Sequence, residues 1–362
     1  MKTCNTCLIN ENYPEITFDN SGKCSICSNY KTFRPLGEEL LVKRLNKSKN
    51  KKLPYDVLVP LSGGKDSTFV LYLAVKVYKL RVLTMTYDNG FLSNIALDNI
   101  KKAVEICNVE HVFCKPNPDI LKRIYRTMLL YSGDMCGACD IGTKANIFKI
   151  AADYKTPIIL SGTSPLEQDS FVPDSIQDLK RFKYILNRYS DLSKKEINDF
   201  LIYPNLNNFS LSFFKFIGKF GREVKPLFYI NDFEDKEIGN IIKHELCWKD
   251  DNREYSKHLD CVAEPFTNYI RNKIYGYERR LCQFSNMIRK GEISRDYAEN
   301  LFEADSINSL PSNWKTIMDN LHIDYNDLDK ILSNKPLKFE KNISKSNRVF
   351  EILVKMKRRL RN

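Results

Sequence analysis

No stretch of this chain approaches the ~20 consecutive apolar residues that a membrane span requires, so the sequence predicts no transmembrane segment. Its opening residues, Met1-Lys2-Thr3-Cys4, run into polar positions without the apolar core of a secretion signal. The expected location is therefore cytoplasmic. Histidine is scarce, with only His111, His244, His258 and His322. A Walker loop, G-x-x-x-x-G-K-S/T, is missing. Negative charge is in deficit, with 45 Asp and Glu against 57 Lys and Arg, a formal charge of +12. That excess suits an anionic partner such as a nucleotide, a sugar phosphate, RNA or an acidic membrane surface, and selects none of them. A Lys- and Asn-rich composition raises the charge equally well without a dedicated patch. What remains, 43% hydrophobic and 28% charged over 362 residues, is ordinary globular composition with length enough for more than one unit.

Cysteine, by contrast, is plentiful. Eleven are present, and in a reducing compartment clustered thiols bind metal or do chemistry more often than they form disulfides. Cys4, Cys7, Cys24 and Cys27 follow C-x2-C-x16-C-x2-C, within the spacing of a tetrahedral Cys4 zinc site whose closed coordination makes the ion structural. The turn Phe18-Asp19-Asn20-Ser21-Gly22 lies between the two knuckles. A second pair, Cys136 and Cys139 in "SGDMCGACDIGTK", cannot close a site alone. Cys261 is the preferred third ligand and Cys247 the next. A buried thiol pair, a redox disulfide, and a second zinc site completed by His258 or Asp260 are the alternatives. Cys107, Cys114 and Cys282 read as small buried hydrophobes.

Glu38 to Asn46 has helical spacing and "NKSKNKKLP" reads as a linker. From Tyr55 onward, strand and helix alternate. "YDVLVPL", "RVLTMTYD", "VEHVFCKP" and "TPIILSG" are the strands; "STFVLYLAVKVY", "NIALDNIKKAVEIC", residues 119–131 and "TKANIFKIAADY" are the helices. Such alternation predicts an α/β fold, a doubly wound parallel sheet covered on both faces. Ligands in these sheets bind beyond the carboxyl ends of the strands, where Ser62-Gly63-Gly64, Asp88-Asn89-Gly90 and Ser161-Gly162-Thr163 fall. The predicted division is a zinc knuckle and linker at 1–50, a nucleotide domain at 51–245 with an insertion at about 170–222, and a helical region at 246–362. Within the insertion, "FSLSFFKFIGKFGR" reads as a buried helix with snorkelling lysines. The tail "VFEILVKMKRRLRN" reads as a docked basic helix.

The chemistry concentrates in "VLVPLSGGKDSTFVLYLA". Two glycines let the backbone approach an anion, and the turn and helix N-terminus point N–H groups at it. Lys65 adds charge, Ser62 and Ser67 add hydroxyls, and Asp66 meets phosphate through Mg²⁺ or orients the loop. Ser-Gly-Gly-Lys-Asp-Ser, after a buried strand and before a helix, resembles the pyrophosphate loop of the ATP-pyrophosphatase (PP-loop, adenine nucleotide alpha hydrolase-like) superfamily. The resemblance implies cleavage of ATP to AMP and pyrophosphate, with adenylation of a carbonyl or amide-like oxygen. Lys65, Asp66 and Ser67 are then catalytic, and Ser62, Gly63, Gly64, Asp88 and Gly162 join them around the nucleotide, with Asp169 a further candidate for Mg²⁺.

The knuckle pattern C-x-x-C-x6-P-x-I-x-F-D-x-x-G-x-C-x-x-C, followed by that loop, resembles the N-acetyl sugar amidotransferase family within the superfamily. It implies conversion of the acetamido group of a surface-polysaccharide sugar to an acetamidino group, with ammonia from separate glutaminase and synthase-like partners. No glutaminase signature occurs in this chain. The central cysteines resemble instead the iron–sulfur site of the tRNA-thiolating branch, where a 4Fe-4S cluster rests on three cysteines. The two resemblances share ATP and Mg²⁺ and differ in the nucleophile, nitrogen or sulfur; the N-terminal pattern favours nitrogen.

Overall fold

A computed structural model describes residues 1–165, 179–203, 214, 218–230, 235–251, 259–304 and 309–333. The readings made for Asp169, His258, most of "FSLSFFKFIGKFGR" and the basic tail lie outside these residues.

Five strands, β1 (Val57–Pro60), β2 (Val82–Tyr87), β3 (Glu110–Cys114), β4 (Ile158–Leu160) and β5 (Arg222–Val224), form one sheet in the order β3-β2-β1-β4-β5. Every neighbouring pair is parallel, with Val57 opposite both Val82 and Ile158. All six residues of β2 are buried, as expected of a parallel strand covered on both faces.

The covering helices come from the segments between strands. On one face Val57, Val59, Val82, Ile158 and Leu160 pack with Phe69 and Leu71 of α2 (Lys65–Tyr72), and with Ile100 and Ala103 of α3 (Asn94–Cys107). Helix α1 (Glu38–Ser48) adds Leu41 and Leu45 to this layer. On the other face Leu58, Leu83, Met85 and Ile159 meet Ile150 and Ala151 of α5 (Cys136–Asp153), which follows α4 (Pro118–Ser132). The fold is thus a doubly wound α/β sheet. Strand order reverses between β1 and β4, which opens a crevice at their carboxyl ends.

A second, helical core joins α4 to α6 (Leu179–Tyr189) and α7 (Lys194–Leu201). After α8 (Asp235–Leu246), which returns to the sheet through Ile238 and Ile242, α9 (Glu264–Tyr275) adds Phe266 and Ile270 to this second core. A third core sets Leu8 and Ile9 of the N-terminal knuckle against Leu281, Phe284 and Met287 of α10 (Arg279–Lys290). None of the described helices is long and apolar enough to cross a membrane.

Candidate functional site

The loop after β1 is built around two glycines. Gly63 has φ +79°, and a Cβ added there would run into the Ala96 carbonyl, with Ala96 Cα 2.9 Å away. Backbone of α3 cannot yield as a flexible side chain would, so Gly63→Ala is expected to distort the loop and cut nucleotide affinity by at least tenfold, checked by equilibrium dialysis. Gly64 caps α2 in extended conformation without any side-chain cap, leaving first-turn N–H groups without an intrahelical partner, as anion sites require.

Around this turn, Ser67 Oγ accepts from Ser62 N at 3.2 Å and donates to the Gly64 carbonyl at 3.1 Å. Gly64 N donates to Ser62 Oγ at 3.3 Å. Lys65 Nζ lies 2.9 Å from Asp66 Oδ1, with the two side chains 9% and 19% exposed. Asp66 therefore holds the lysine ammonium within the loop, a contact that fits an orienting role. Gly162, after β4, packs so closely on α2 that a Cβ would sit 2.8 Å from Ser67 N. The β4 turn thus closes the crevice beside the loop, and Ser161 and Thr163 hydroxyls pair across it at 2.8 Å.

Asp88 ends β2. Its carboxylate accepts from Gly90 N at 2.9 Å and its own N–H donates to the Cys114 carbonyl at 2.8 Å. This is the bonding of a turn aspartate, half-buried at the crevice edge. The chain from Leu259 to Val262 runs antiparallel to the residues beyond this turn: Ser93 N donates to the Asp260 carbonyl at 3.1 Å and Val262 N to the Phe91 carbonyl at 2.9 Å. Asp260 consequently stands over the loop, its Oδ2 3.9 Å from where a Gly64 Cβ would be. Asp260 at this position, and Asn99 and Trp248, which hydrogen-bond the loop, were not legible as loop partners. They come from distant segments, and no local spacing marks them.

The same segment carries Cys261 toward the central pair. Cys136 opens α5 and Cys139 lies one turn on. Asp134 sets this turn, accepting from Gly137 N at 2.8 Å while its other oxygen takes Arg271 Nε at 2.9 Å. Burial pushes the thiols of Cys136, Cys139 and Cys261 up, Cys139 to about 12, and the charge of Cys136 raises both of the others. Arg271 opposes this at Cys136, and Tyr125 at Cys139. Three such thiols stay protonated near neutrality unless a cation displaces their protons. Cys247 lies exposed.

The N-terminal cysteines are drawn together far more tightly. Among the described residues, Cys4, Cys7, Cys24 and Cys27 are the group whose ligand atoms all lie within 4.8 Å of one another, and all four are buried. Cys4 Sγ is 3.9 Å from Cys27 Sγ, and Cys7 Sγ 3.8 Å from Cys24 Sγ. A metal–sulfur bond of ~2.3 Å in a tetrahedron gives sulfur–sulfur edges of about 3.8 Å, so the set fits one tetrahedral ion. Backbone N–H groups of Thr6 and Cys24 point at Cys4 Sγ from 3.3 and 3.2 Å, the outer-sphere donors that thiolate ligands need. Hydrogen bonds from Cys27 and Cys7 hold Cys24 well below the usual thiol range, whereas the hydrogen bonds that Cys7 makes to Cys24 and Cys27, together with burial, push Cys7 up. One sulfur ionises readily and its neighbour resists, so full ionisation needs a cation.

Residues 251–357 match a family model described as LPS biosynthesis protein WbpG-like, C-terminal domain. Among solved structures, the chain is similar to the U34-tRNA thiolase NcsA from Methanococcus maripaludis with its [4Fe-4S] cluster, at 17% identity over 84% of this chain and 89% of that one, with a TM-score of 0.34. It is also similar to the NMN synthetase from Francisella tularensis, at 15% identity over 65% and 91% and a TM-score of 0.29. No curated protein matches it.

The matched region reaches the loop, the central cysteines and the knuckle. It supplies Asp260 beside the loop, Cys261 beside the central pair, and Arg271 beneath Cys136. At the knuckle, Ser285 Oγ accepts from Leu8 N at 3.1 Å, and Arg289 Nη1 reaches Cys7 Sγ at 3.3 Å and Cys27 Sγ at 3.8 Å. A tetrathiolate around a divalent ion would carry net negative charge, which Arg289 would offset.

Proposed function

We propose that this protein is an ATP-dependent amidotransferase of the ATP-pyrophosphatase type. It adenylates the acetamido oxygen of an N-acetyl sugar and replaces that oxygen with nitrogen from ammonia, in surface polysaccharide (O-antigen or capsule) biosynthesis. The observation that carries the reading is the placement of "SGGKDS" at the carboxyl end of β1, beside the strand-order reversal, in a chain whose remaining third is WbpG-like.

In this reading the acetamido oxygen attacks the α-phosphorus of ATP and pyrophosphate leaves, held by the loop N–H groups, Ser62, Ser67 and Lys65, with Mg²⁺ sharing its charge. Ammonia adds to the activated carbon, and AMP departs with the original oxygen. The atoms balance as sugar acetamide, ATP and ammonia giving sugar acetamidine, AMP and pyrophosphate. Separate glutaminase and synthase-like subunits supply the ammonia. Zinc at Cys4, Cys7, Cys24 and Cys27 holds the knuckle folded.

A second reading has its own observation. Cys136, Cys139 and Cys261 come near enough to interact electrostatically although more than 120 positions separate Cys261 from the pair. A 4Fe-4S cluster on these residues would make sulfide the nucleophile and tRNA or a small metabolite the acceptor.

Turnover separates the two. With an N-acetylated sugar nucleotide, ATP and Mg²⁺, the first reading expects AMP and pyrophosphate to form in an ammonia-dependent way. The second expects iron and acid-labile sulfide in anaerobically purified protein, and dependence on sulfide. Ammonia-independent turnover with iron bound would overturn the first reading, and iron-free protein the second.

A further inference from the structure

We propose that Trp248 is a positioning residue of the nucleotide loop and that its indole reports occupancy of that loop. The inference deepens the proposed function and rests on the loop being the pyrophosphate site.

Trp248 follows α8, and its side chain is 4% exposed. An indole has one donor, and burial makes leaving it unmade costly. Here that donor reaches the Gly63 carbonyl at 2.9 Å. Asn99 Nδ2 donates to the same oxygen at 3.2 Å and also to the Lys249 carbonyl at 2.9 Å, while Asn99 Oδ1 accepts from Lys249 N at 2.8 Å. Asn99 thus clips the residue after Trp248 to α3, and both side chains converge on one peptide of the loop.

The peptide they hold is the one whose direction matters. Gly63 has φ +79° and Gly64 is free of a Cβ, so nothing in their own side chains fixes the orientation of the plane between them. The chain has no cis bonds among its described residues, and in a trans peptide the carbonyl and the following N–H point to opposite sides. Two donors on the Gly63 oxygen therefore turn its lone pairs away from the crevice and aim the Gly64 N–H inward, where it meets Ser62 Oγ. A flipped peptide would present a carbonyl oxygen to a phosphate and repel it. Trp248 does not touch the anion; it acts through Gly63.

The chain has only two tryptophans, Trp248 and Trp314. Trp314 lies in a different core, packed edge-on against Tyr325 with ring centroids 5.3 Å apart. Replacing it isolates the loop indole.

The experiment titrates Mg²⁺-pyrophosphate into Trp314→Phe protein and follows emission. A saturable change is expected, with the same midpoint as equilibrium dialysis of labelled pyrophosphate on the unmodified protein. In Trp248→Phe, which keeps an aromatic ring and loses the donor, dialysis is expected to show binding about 10-fold weaker, the loss of roughly one hydrogen bond's orientation. Its thermal midpoint should move little. Undiminished pyrophosphate affinity in folded Trp248→Phe would overturn the positioning role. Silent emission in Trp314→Phe, with dialysis showing binding, would overturn the reporter, and that arm decides the matter if Trp248→Phe does not fold. Failure of the unmodified protein to bind pyrophosphate would overturn the proposed function itself, and this inference with it.

Discussion

Lys65→Ala lowers pyrophosphate release from ATP by at least about 100-fold and leaves the protein folded, as seen by circular dichroism and a near-normal thermal transition. Removing one preorganised donor from a site of developing charge costs on the order of 100- to 1,000-fold in rate, and a full ammonium in a partly enclosed loop belongs at the upper end. The side chain is 9% exposed and contacts Asp66 within the same loop, and losing that contact costs on the order of 1–3 kcal/mol. Lys65→Arg keeps the charge but spreads it over a planar fork, and should recover only part of the rate. Turnover of Lys65→Ala above a tenth of the unmodified rate would show that the loop does not hold the leaving pyrophosphate.

Cys4→Ser acts on the fold instead. The four sulfurs are buried within 4.8 Å of one another, a hydroxyl is a poor replacement for a thiolate, and the knuckle around them is too small to fold on a core of its own. Structural zinc sites in small domains contribute apparent binding energies of ~10–16 kcal/mol at neutral pH. Their loss would release Leu8 and Ile9 from Phe284 and Met287. The expected result is protein without the N-terminal ion, poorly soluble and cut within the knuckle by limited proteolysis. Metal analysis showing unchanged zinc in Cys4→Ser would refute the site. Arg289→Met is the milder companion: it should keep the ion and bind it more weakly, because the guanidinium at 3.3 Å from Cys7 Sγ is gone.

β1, β2 and β4 were legible because strands buried on both faces leave largely apolar, β-branched runs, as in "VLTMTY", and the edge strand β3, only partly buried, was legible from its place in the strand–helix alternation. β5 was not. Arg222 and Glu223 are exposed on a three-residue edge strand, and such a strand needs no apolar run. Helix α5 begins at Cys136 rather than at the predicted Thr143, since Cys-Gly-Ala-Cys carries no helical signal of its own; Asp134 accepting from Gly137 N starts it.

The loop between β1 and α2 could be read because strand, glycines, lysine and helix are contiguous. Its clamp could not, because Trp248 and Asn99 reach Gly63 through the fold. The cysteines differ: spacing brought out the N-terminal four, and Cys261, preferred from the sequence as the third partner of Cys136 and Cys139, is brought into their electrostatic range by the fold.

The central claim, that an acetamido oxygen is adenylated and then displaced by nitrogen, is tested most directly by labelling that oxygen. An N-acetyl sugar nucleotide carrying oxygen-18 in its acetamido group, incubated with the protein, ATP, Mg²⁺ and ammonia, should yield AMP that contains the label and a sugar acetamidine that has lost it. Unlabelled AMP, or a labelled sugar recovered unchanged while ATP is consumed, would contradict the account.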